Sequence, residues 1–286
     1  MSDKPVKYAV FTVDVEAFAD TECISNSGAD VEADMLDGLD EYIKILDKYN
    51  IKATMFSVCR TALAAKERIA AHVANGHSLA LHSMDHTAPC LLTNEAFRAE
   101  TREAKALLSE AFGTEIAGYR APCFGIDDDK LGILQELGFR YDSSRINFSA
   151  ARHTTNINLQ DFRELRKGIF RSKDFFEFSL INNRIFGQEF PISGGGYVRM
   201  FNWGIIKSMI LDYIRKNDYY VFYLHPFELS RKRIPFIPKL KFYDRIYLSY
   251  GIHSFPRKVE YIIRKLKRAG YSFVTFDELA AILHNS

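Results

Sequence analysis

Short β-branched and aromatic runs alternate with segments of helical period almost to the end of this 286-residue chain. That alternation restricts the fold more than any other feature. Strands are predicted at Tyr8–Asp14, Ala53–Val58, Ser78–Leu81, Ile116–Arg120, Phe139–Asp142, Gly187–Ile192, Tyr219–His225 and Tyr271–Thr275. Between them, Leu36, Leu39, Ile43 and Leu46 recur on one helical face, as do Val259, Ile262, Ile263 and Leu266, and the alanine-rich, charged segment Thr93–Phe112 also reads as helix. Seven or eight βα alternations without a break in composition predict an α/β fold, a distorted parallel (β/α) barrel of seven or eight strands spanning 1–286 as one domain. Two stretches interrupt the rhythm: an acidic loop at Val15–Asp34 and a longer polar and aromatic insertion at Ser143–Phe186. Loops of that length in a folded domain are usually functional covers or disordered.

The polar residues gather at the predicted strand ends. Asp14 and Glu16 close the first strand, His82 and His86 follow the third, Arg120 ends the fourth, Asp142 the fifth, and His225-Pro226 the strand from Tyr219. In a βα barrel all strand C-termini open onto one face, where active sites are built, so five strands would deliver titratable groups to one rim. His82 and His86, at i and i+4, would share a helical face and reach one metal ion. Asp14 and Glu16, two apart on a strand, point the same way. An Arg at a strand end beside carboxylates suits an ion pair. Singly, each has a plainer reading: a turn-capping Asp, a core His225, a simple Arg-Ala-Pro turn. His77 precedes its strand, away from the rim, and reads as structural.

Composition narrows the remaining classes. The chain is 47% hydrophobic and 26% charged, with 23 Phe and 15 Tyr, which serve core packing first and sugar-stacking platforms second. Four scattered cysteines, Cys23, Cys59, Cys90 and Cys123, form no CxxC, so neither a disulfide framework nor a zinc-thiolate site is expected. The charged opening Met-Ser-Asp-Lys-Pro-Val-Lys leads directly into a strand, no secretory signal is read there, and no apolar run approaches a membrane span; a cytoplasmic protein is expected. The net charge is only +2, yet Arg231–Arg268 holds twelve Lys or Arg against Asp244 and Glu260, a local balance of +10. Such a region is either a solvated helix face and loop, or it attracts an anion such as a phosphate-bearing sugar carrier or a membrane surface. No nucleic-acid-binding motif accompanies it, so nucleic acid is not an expected partner.

Taken together, the strand-end residues resemble the polysaccharide deacetylases of carbohydrate esterase family 4, the NodB-homology fold. The resemblance spans nearly the whole chain and rests on Thr12-Val13-Asp14-Val15-Glu16, Gly76-His77 with His82-Ser83-Met84-Asp85-His86, Tyr119-Arg120-Ala121-Pro122, Tyr141-Asp142-Ser143-Ser144, Glu189-Phe190-Pro191-Ile192-Ser193 and Leu224-His225-Pro226. Gly194-Gly195-Gly196-Tyr197 resembles a stretch of the deacetylases found at bacterial exopolysaccharide loci. The resemblance implies a metal-dependent hydrolase that removes N-acetyl groups from an amino sugar, in a polysaccharide or in a nucleotide- or lipid-linked precursor. It implies one divalent ion, zinc by default, on Glu16, His82 and His86. It casts Asp14 as general base kept ionised by Arg120, the Cys123 backbone N–H as oxyanion donor, and His225 as general acid oriented by Asp142.

There are departures. Most members carry two adjacent aspartates at the first strand end, whereas here Val15 intervenes and the second acid is Glu16, which leaves the division of roles between the carboxylates open. The residue after Arg-Ala-Pro is commonly Tyr and is Cys123 here; a role played by its backbone N–H would survive the change. Two other readings follow. One is a catalytically silent carbohydrate-binding barrel, favoured by the Val15-Glu16 departure. The other is a deacylase or amidase acting on another acyl or cyclic amide, since function resides in site details. A membrane-surface adaptor using the basic region has no positive motif.

Overall fold

A strand buried on both faces reads as an unbroken apolar run, because no alternating position meets water. Lys7–Val15 (β1) is that strand, and every residue from Tyr8 onward is buried. In the computed structural model, which describes residues 5–146, 157–185 and 187–285, it lies inside the main sheet, paired with three other strands. The following strands are Ala53–Ser57 (β2), Ser78–Leu81 (β3), Gly118–Tyr119 (β4), Tyr141–Asp142 (β5), Arg163–Arg166 (β6), Ile169–Ser172 (β7), Phe175–Phe178 (β8), Asn182–Ile185 (β9), Gln188–Pro191 (β10), Tyr219–Leu224 (β11) and Tyr271–Phe273 (β12). A curled parallel sheet runs in the order β11-β1-β2-β3-β4-β5-β8, with β12 also parallel to β1. Antiparallel β7 and β6 extend it beyond β8. This is an open α/β half-barrel, with the predicted number of parallel strands.

One predicted strand is replaced by another. Gly187–Ile192 does not join the curled sheet; Gln188–Pro191 forms a separate antiparallel hairpin with β9. Gly187, at φ +82°, supplies a left-handed residue in the reversal that L side chains rarely adopt. The sheet position goes to β8, whose four residues Phe-Phe-Glu-Phe are all buried. Glu177 interrupts that run, which is why it does not read as a core strand. The remaining gap toward β11 is spanned by the chain after β10: the Ile192 N–H donates to the Ile181 carbonyl at 3.1 Å and the Tyr223 N–H to the Ser193 carbonyl at 2.8 Å. Of the predicted 143–186 insertion, 147–156 and 186 lie outside the described residues.

The outer helices follow the predicted stripes. Leu39, Ile43 and Leu46 are buried from Asp37–Asp47, and Val259, Ile262, Ile263 and Leu266 from Phe255–Arg268. The acidic 15–34 loop packs a small core of its own, in which Phe18, Cys23, Ile24 and Met35 meet Phe227, Ile237, Leu240 and Leu248. The four cysteines are free, and His77 is a core residue whose Nδ1 accepts the Ala53 N–H at 3.0 Å.

Parallel pairing of β5 with β8 sets Asp142 beside Glu177, both fully buried. Asp142 accepts the Ser144 N–H and O–H, each at 2.8 Å, so it serves as the anion. Glu177 Oε1 accepts the Arg145 N–H at 3.0 Å, while Oε2 finds no donor. A proton on Oε2 resolves this, letting Glu177 donate to Asp142. Burial and then the Asp142 charge hold the Glu177 carboxyl well above the usual range. The folded chain therefore keeps a proton that the unfolded chain has lost above the ordinary Glu pKa, and stability falls as pH rises through that window. Glu177→Gln, which donates through its amide without titrating, should flatten the pH dependence of urea unfolding between pH 5 and 8 by up to about 1.4 kcal/mol per pH unit. Parallel curves for the parent and the variant would contradict a shared proton.

Candidate active site

The two histidines come together, but not on a helix. Residues 82–88 form a bend in which Ser83 and His86 take left-handed φ values of +65° and +68°. The His86 N–H donates to Ser83 Oγ at 2.9 Å, and the two imidazole centroids lie 5.2 Å apart. His82 Nδ1 is 2.8 Å from the Arg120 carbonyl, which can only accept, so the proton sits on Nδ1 and the Nε2 lone pair is left for a ligand. Burial lowers the His82 pKa to about 4, keeping the ring neutral. Both features suit a metal-binding imidazole.

The carboxylates divide by partner. Glu16 Oε2 lies 2.7 Å from His86 Nε2, and ligand atoms of Glu16, His82 and His86 all fall within 4.8 Å of one another. Burial opposes the Glu16 charge, but His86 and His225 outweigh it and lower its pKa to about 2. One carboxylate and two imidazoles, the first anionic and His82 neutral with a free lone pair, make a donor set that fits a divalent ion. Asp14 turns instead to Arg120, whose Nη1 donates to Oδ1 at 2.6 Å. The same guanidinium donates to Thr12 Oγ1, the Ser143 carbonyl and Ser143 Oγ, each at 2.9 Å, and its carbon lies 4.0 Å from the Phe56 ring centroid.

Asp142 does not orient His225. Its oxygens hold Ser144, whose Oγ accepts the Ala121 N–H at 2.8 Å, so Asp142 supports the Arg-Ala-Pro turn. The partner of His225 is Glu228. Pro226 opens a short 3-10 turn, and Glu228 reaches back to accept the His225 N–H at 3.0 Å, leaving its carboxylate 3.6 Å from His225 Nδ1. The signal was in the sequence as His225-Pro226-Phe227-Glu228, a capping-box spacing that opens on His instead of Ser or Thr. Glu228 is fully buried and paired with buried Arg199 at 3.1 Å. Burial works against the His225 charge, but Glu16, Glu228 and Asp14 outweigh it and raise its pKa to about 9.

Asp14, Glu16, His82, His86, Cys123 and His225 all line one cavity of about 460 Å³. Phe124, Tyr197, Phe201, Tyr223, Tyr243 and Tyr247 add aromatic walls. The glycine triplet makes room: a Cβ on Gly195 would lie 2.5 Å from Glu228 Oε2, and one on Gly194 2.8 Å from the Tyr223 hydroxyl. Cys123 takes a strained left-handed φ of +53°, and among the described residues its N–H makes no hydrogen bond.

Comparison with known proteins agrees with this geometry. Residues 32–141 match the family described as polysaccharide deacetylase. The chain carries a polysaccharide deacetylase domain. Residues 151–281 match a family described as a domain of unknown function, DUF3473. The deacetylase match holds His82, His86, Arg120 and Cys123, whereas His225, Glu228 and the glycine triplet lie in the second. The domain is 30% identical over 96 residues to chitin deacetylase 1 of Cryptococcus neoformans, covering 34% of this chain and 20% of that protein. It is 26% identical over 107 residues to a peptidoglycan deacetylase of Helicobacter pylori, covering 37% of this chain and 36% of that one. The matches therefore span about a third or less of those relatives.

Solved structures share the fold at low identity. They include the Puue allantoinase, with TM-score 0.58 and 16% identity over 99% of this chain and 95% of that one. Another is a family 4 pseudoenzyme from Bacillus anthracis, with TM-score 0.53 and 13% identity over 96% and 66%. A third is a family 4 acetyl xylan esterase from Clostridium thermocellum solved with cobalt, with TM-score 0.51 and 16% identity over 96% and 91%.

Because Arg120 of the deacetylase domain is wholly buried, removing it strands Asp14 as an uncompensated charge. Arg120→Met should cost about 3–5 kcal/mol of stability in urea unfolding. Adding Asp14→Asn should restore about 1–3 kcal/mol of that loss, giving a non-additive cycle. Additive losses would show that the two do not act as a pair.

Proposed function

We propose that the protein is a metal-dependent amide hydrolase that removes N-acetyl groups from an amino-sugar substrate. The observation that carries this reading is the convergence of Glu16, His82 and His86 beside the Asp14–Arg120 pair in one cavity. Glu16, His82 and His86 would hold one divalent ion, with zinc the default for such ligands. When bound, that ion supplies Lewis acidity toward the acyl oxygen and lowers the pKa of water.

The chain's own residues supply the proton transfers. Asp14, held by Arg120, would accept the proton of the attacking water. The unused Cys123 N–H would donate to the developing oxyanion. An amide releases its nitrogen only once that nitrogen is protonated. His225, charged through its contacts with Glu16 and Glu228, would deliver that proton to the departing amine while acetate leaves with the water oxygen. Glu228 positions His225 instead of touching substrate. Aromatic walls suit the apolar faces of a sugar ring. The substrate class is a polysaccharide or a nucleotide- or lipid-linked amino-sugar precursor; the deacetylase relatives support the carbohydrate, and the basic Arg231–Arg268 region supports a phosphate-linked one.

The test is acetate release from N-acetylglucosamine oligosaccharides, with bound metal measured on the same samples. Chelation should abolish release and added zinc restore it, while His82→Ala or His86→Ala should lose both metal and activity. His225→Ala should keep metal but lose about 10²–10⁴-fold in kcat. Cys123→Ala should stay within about threefold of the parent, because its contribution is a backbone donor. Metal bound without acetate release from any N-acetylated sugar would move the bond cleaved to another acyl or cyclic amide. Failure to bind metal would leave a silent carbohydrate-binding barrel.

A further inference from the structure

The helix Phe242–Ser249 is turned the opposite way from an ordinary surface helix. It buries Asp244 and Leu248, while Phe242 and Ile246, followed by Tyr250 at its end, form an exposed stripe at i, i+4 and i+8. Phe242 is 78% exposed, and Phe236 in the preceding loop 76%. Five of the ten large apolar residues exposed among the described residues fall between 236 and 250.

The cations around them are of two kinds. Arg231 and Lys232 are ion-paired with Glu41 and Asp34, so part of the basic region serves the acidic loop. Arg233, Lys239, Lys241 and Arg245 pair with no acid among the described residues. Lys239 instead donates to the Gly28 carbonyl and Arg245 to the Leu240 and Pro238 carbonyls, which leaves their charge unneutralised. Arg245 lies over the Phe236 ring at 4.4 Å and Lys241 near the Tyr243 ring at 5.9 Å. Arg233 and Arg245 line a groove of about 580 Å³ between the loop and the helix. The only acid from 231 to 250 is Asp244, which is turned inward.

We infer that this face, Arg233 to Tyr250, docks on the surface of a bilayer carrying anionic headgroups. Exposed aromatics interleaved with unpaired cations match the interfacial layer, where rings sit at headgroup depth and cations meet phosphate. A protein partner of ordinary composition would bring acids into a core that should be depleted of charge. No helix among the described residues is long and apolar enough to cross a membrane, so the contact is with the surface. Tyr243 and Tyr247 of this helix also line the active-site cavity, which places the docked face at the cavity's rim.

Vesicle co-sedimentation with the full chain tests this. Binding is expected to phosphatidylcholine vesicles containing phosphatidylglycerol and not to phosphatidylcholine alone, weakening with salt. Each unpaired cation should contribute roughly fivefold, so Arg233→Ser with Lys241→Ser should weaken binding about twenty-five-fold. Phe236→Ser with Phe242→Ser should weaken it at least about tenfold. None of these residues lines the active-site cavity, so acetate release from a soluble oligosaccharide should be unchanged in both variants, which also reports correct folding. The inference is overturned by absence of binding to anionic vesicles at low salt, or by binding that both double variants retain. It is equally overturned by a dimer that Phe242→Ser dissociates in a protein that ignores vesicles. Vesicle binding without acetate release would sink the N-deacetylase reading and leave the docking surface standing.

Discussion

One buried guanidinium organises the catalytic end of the sheet. Arg120 is fully buried, and four of its five N–H groups are spent on Thr12, Asp14 and both oxygens of Ser143. Ser143 Oγ passes the connection on by donating to the Phe178 carbonyl at 2.8 Å. The Arg120 carbonyl meanwhile fixes the His82 tautomer. A single residue thus ties together the ends of β1, β3, β4, β5 and β8. Burying an arginine costs several kcal/mol unless its donors are met, so the neighbours are constrained to stay where they are. That rigidity pre-organises both the base candidate and the ligand candidate.

A second buried pair works on the opposite wall. Arg199 and Glu228 lie at zero side-chain exposure, and Glu228 divides its oxygens between Arg199 and the His225 backbone N–H. Gly195 is required because this pair needs the space: any side chain there would collide with the Glu228 carboxylate. Glu228 keeps its charge because His225 and Arg199 together overcome the burial that raises its pKa. Asp142 belongs to a different circuit, sharing a proton with Glu177 and bracing the Arg-Ala-Pro turn. Two buried acids therefore hold their neighbours by opposite means, one anionic against cations and one by sharing a proton.

The charge asymmetry resolves into two functions in the same way. Lys232 holds the acidic loop at Asp34, Arg231 pairs with Glu41 of the helix that follows it, and Lys48 meets Glu260 at 3.0 Å across the outer helices. The residual cations lie beside apolar side chains that the fold leaves outside. Opposite charges placed far apart in sequence were partly a folding device, and only the remainder is open to a partner.

By itself the sequence determined the α/β class, the parallel strand ends and which titratable side chains stand at them, because burial of a central strand demands an apolar run and the polar break marks its exit. Tyr8–Asp14 and Ser78–Leu81 were legible for that reason, as were the helix stripes at Leu39 and Val259. Tertiary structure alone decided the rest. Which four-residue run completes the sheet depended on a neighbour for Glu177, and local pattern cannot supply one. The bend that joins His82 to His86 uses left-handed residues that carry no glycine signal. Asp142 lost His225 to Glu228 because proximity in the fold depends on where two strand ends point, whereas the sequence shows only that both ends carry a charge.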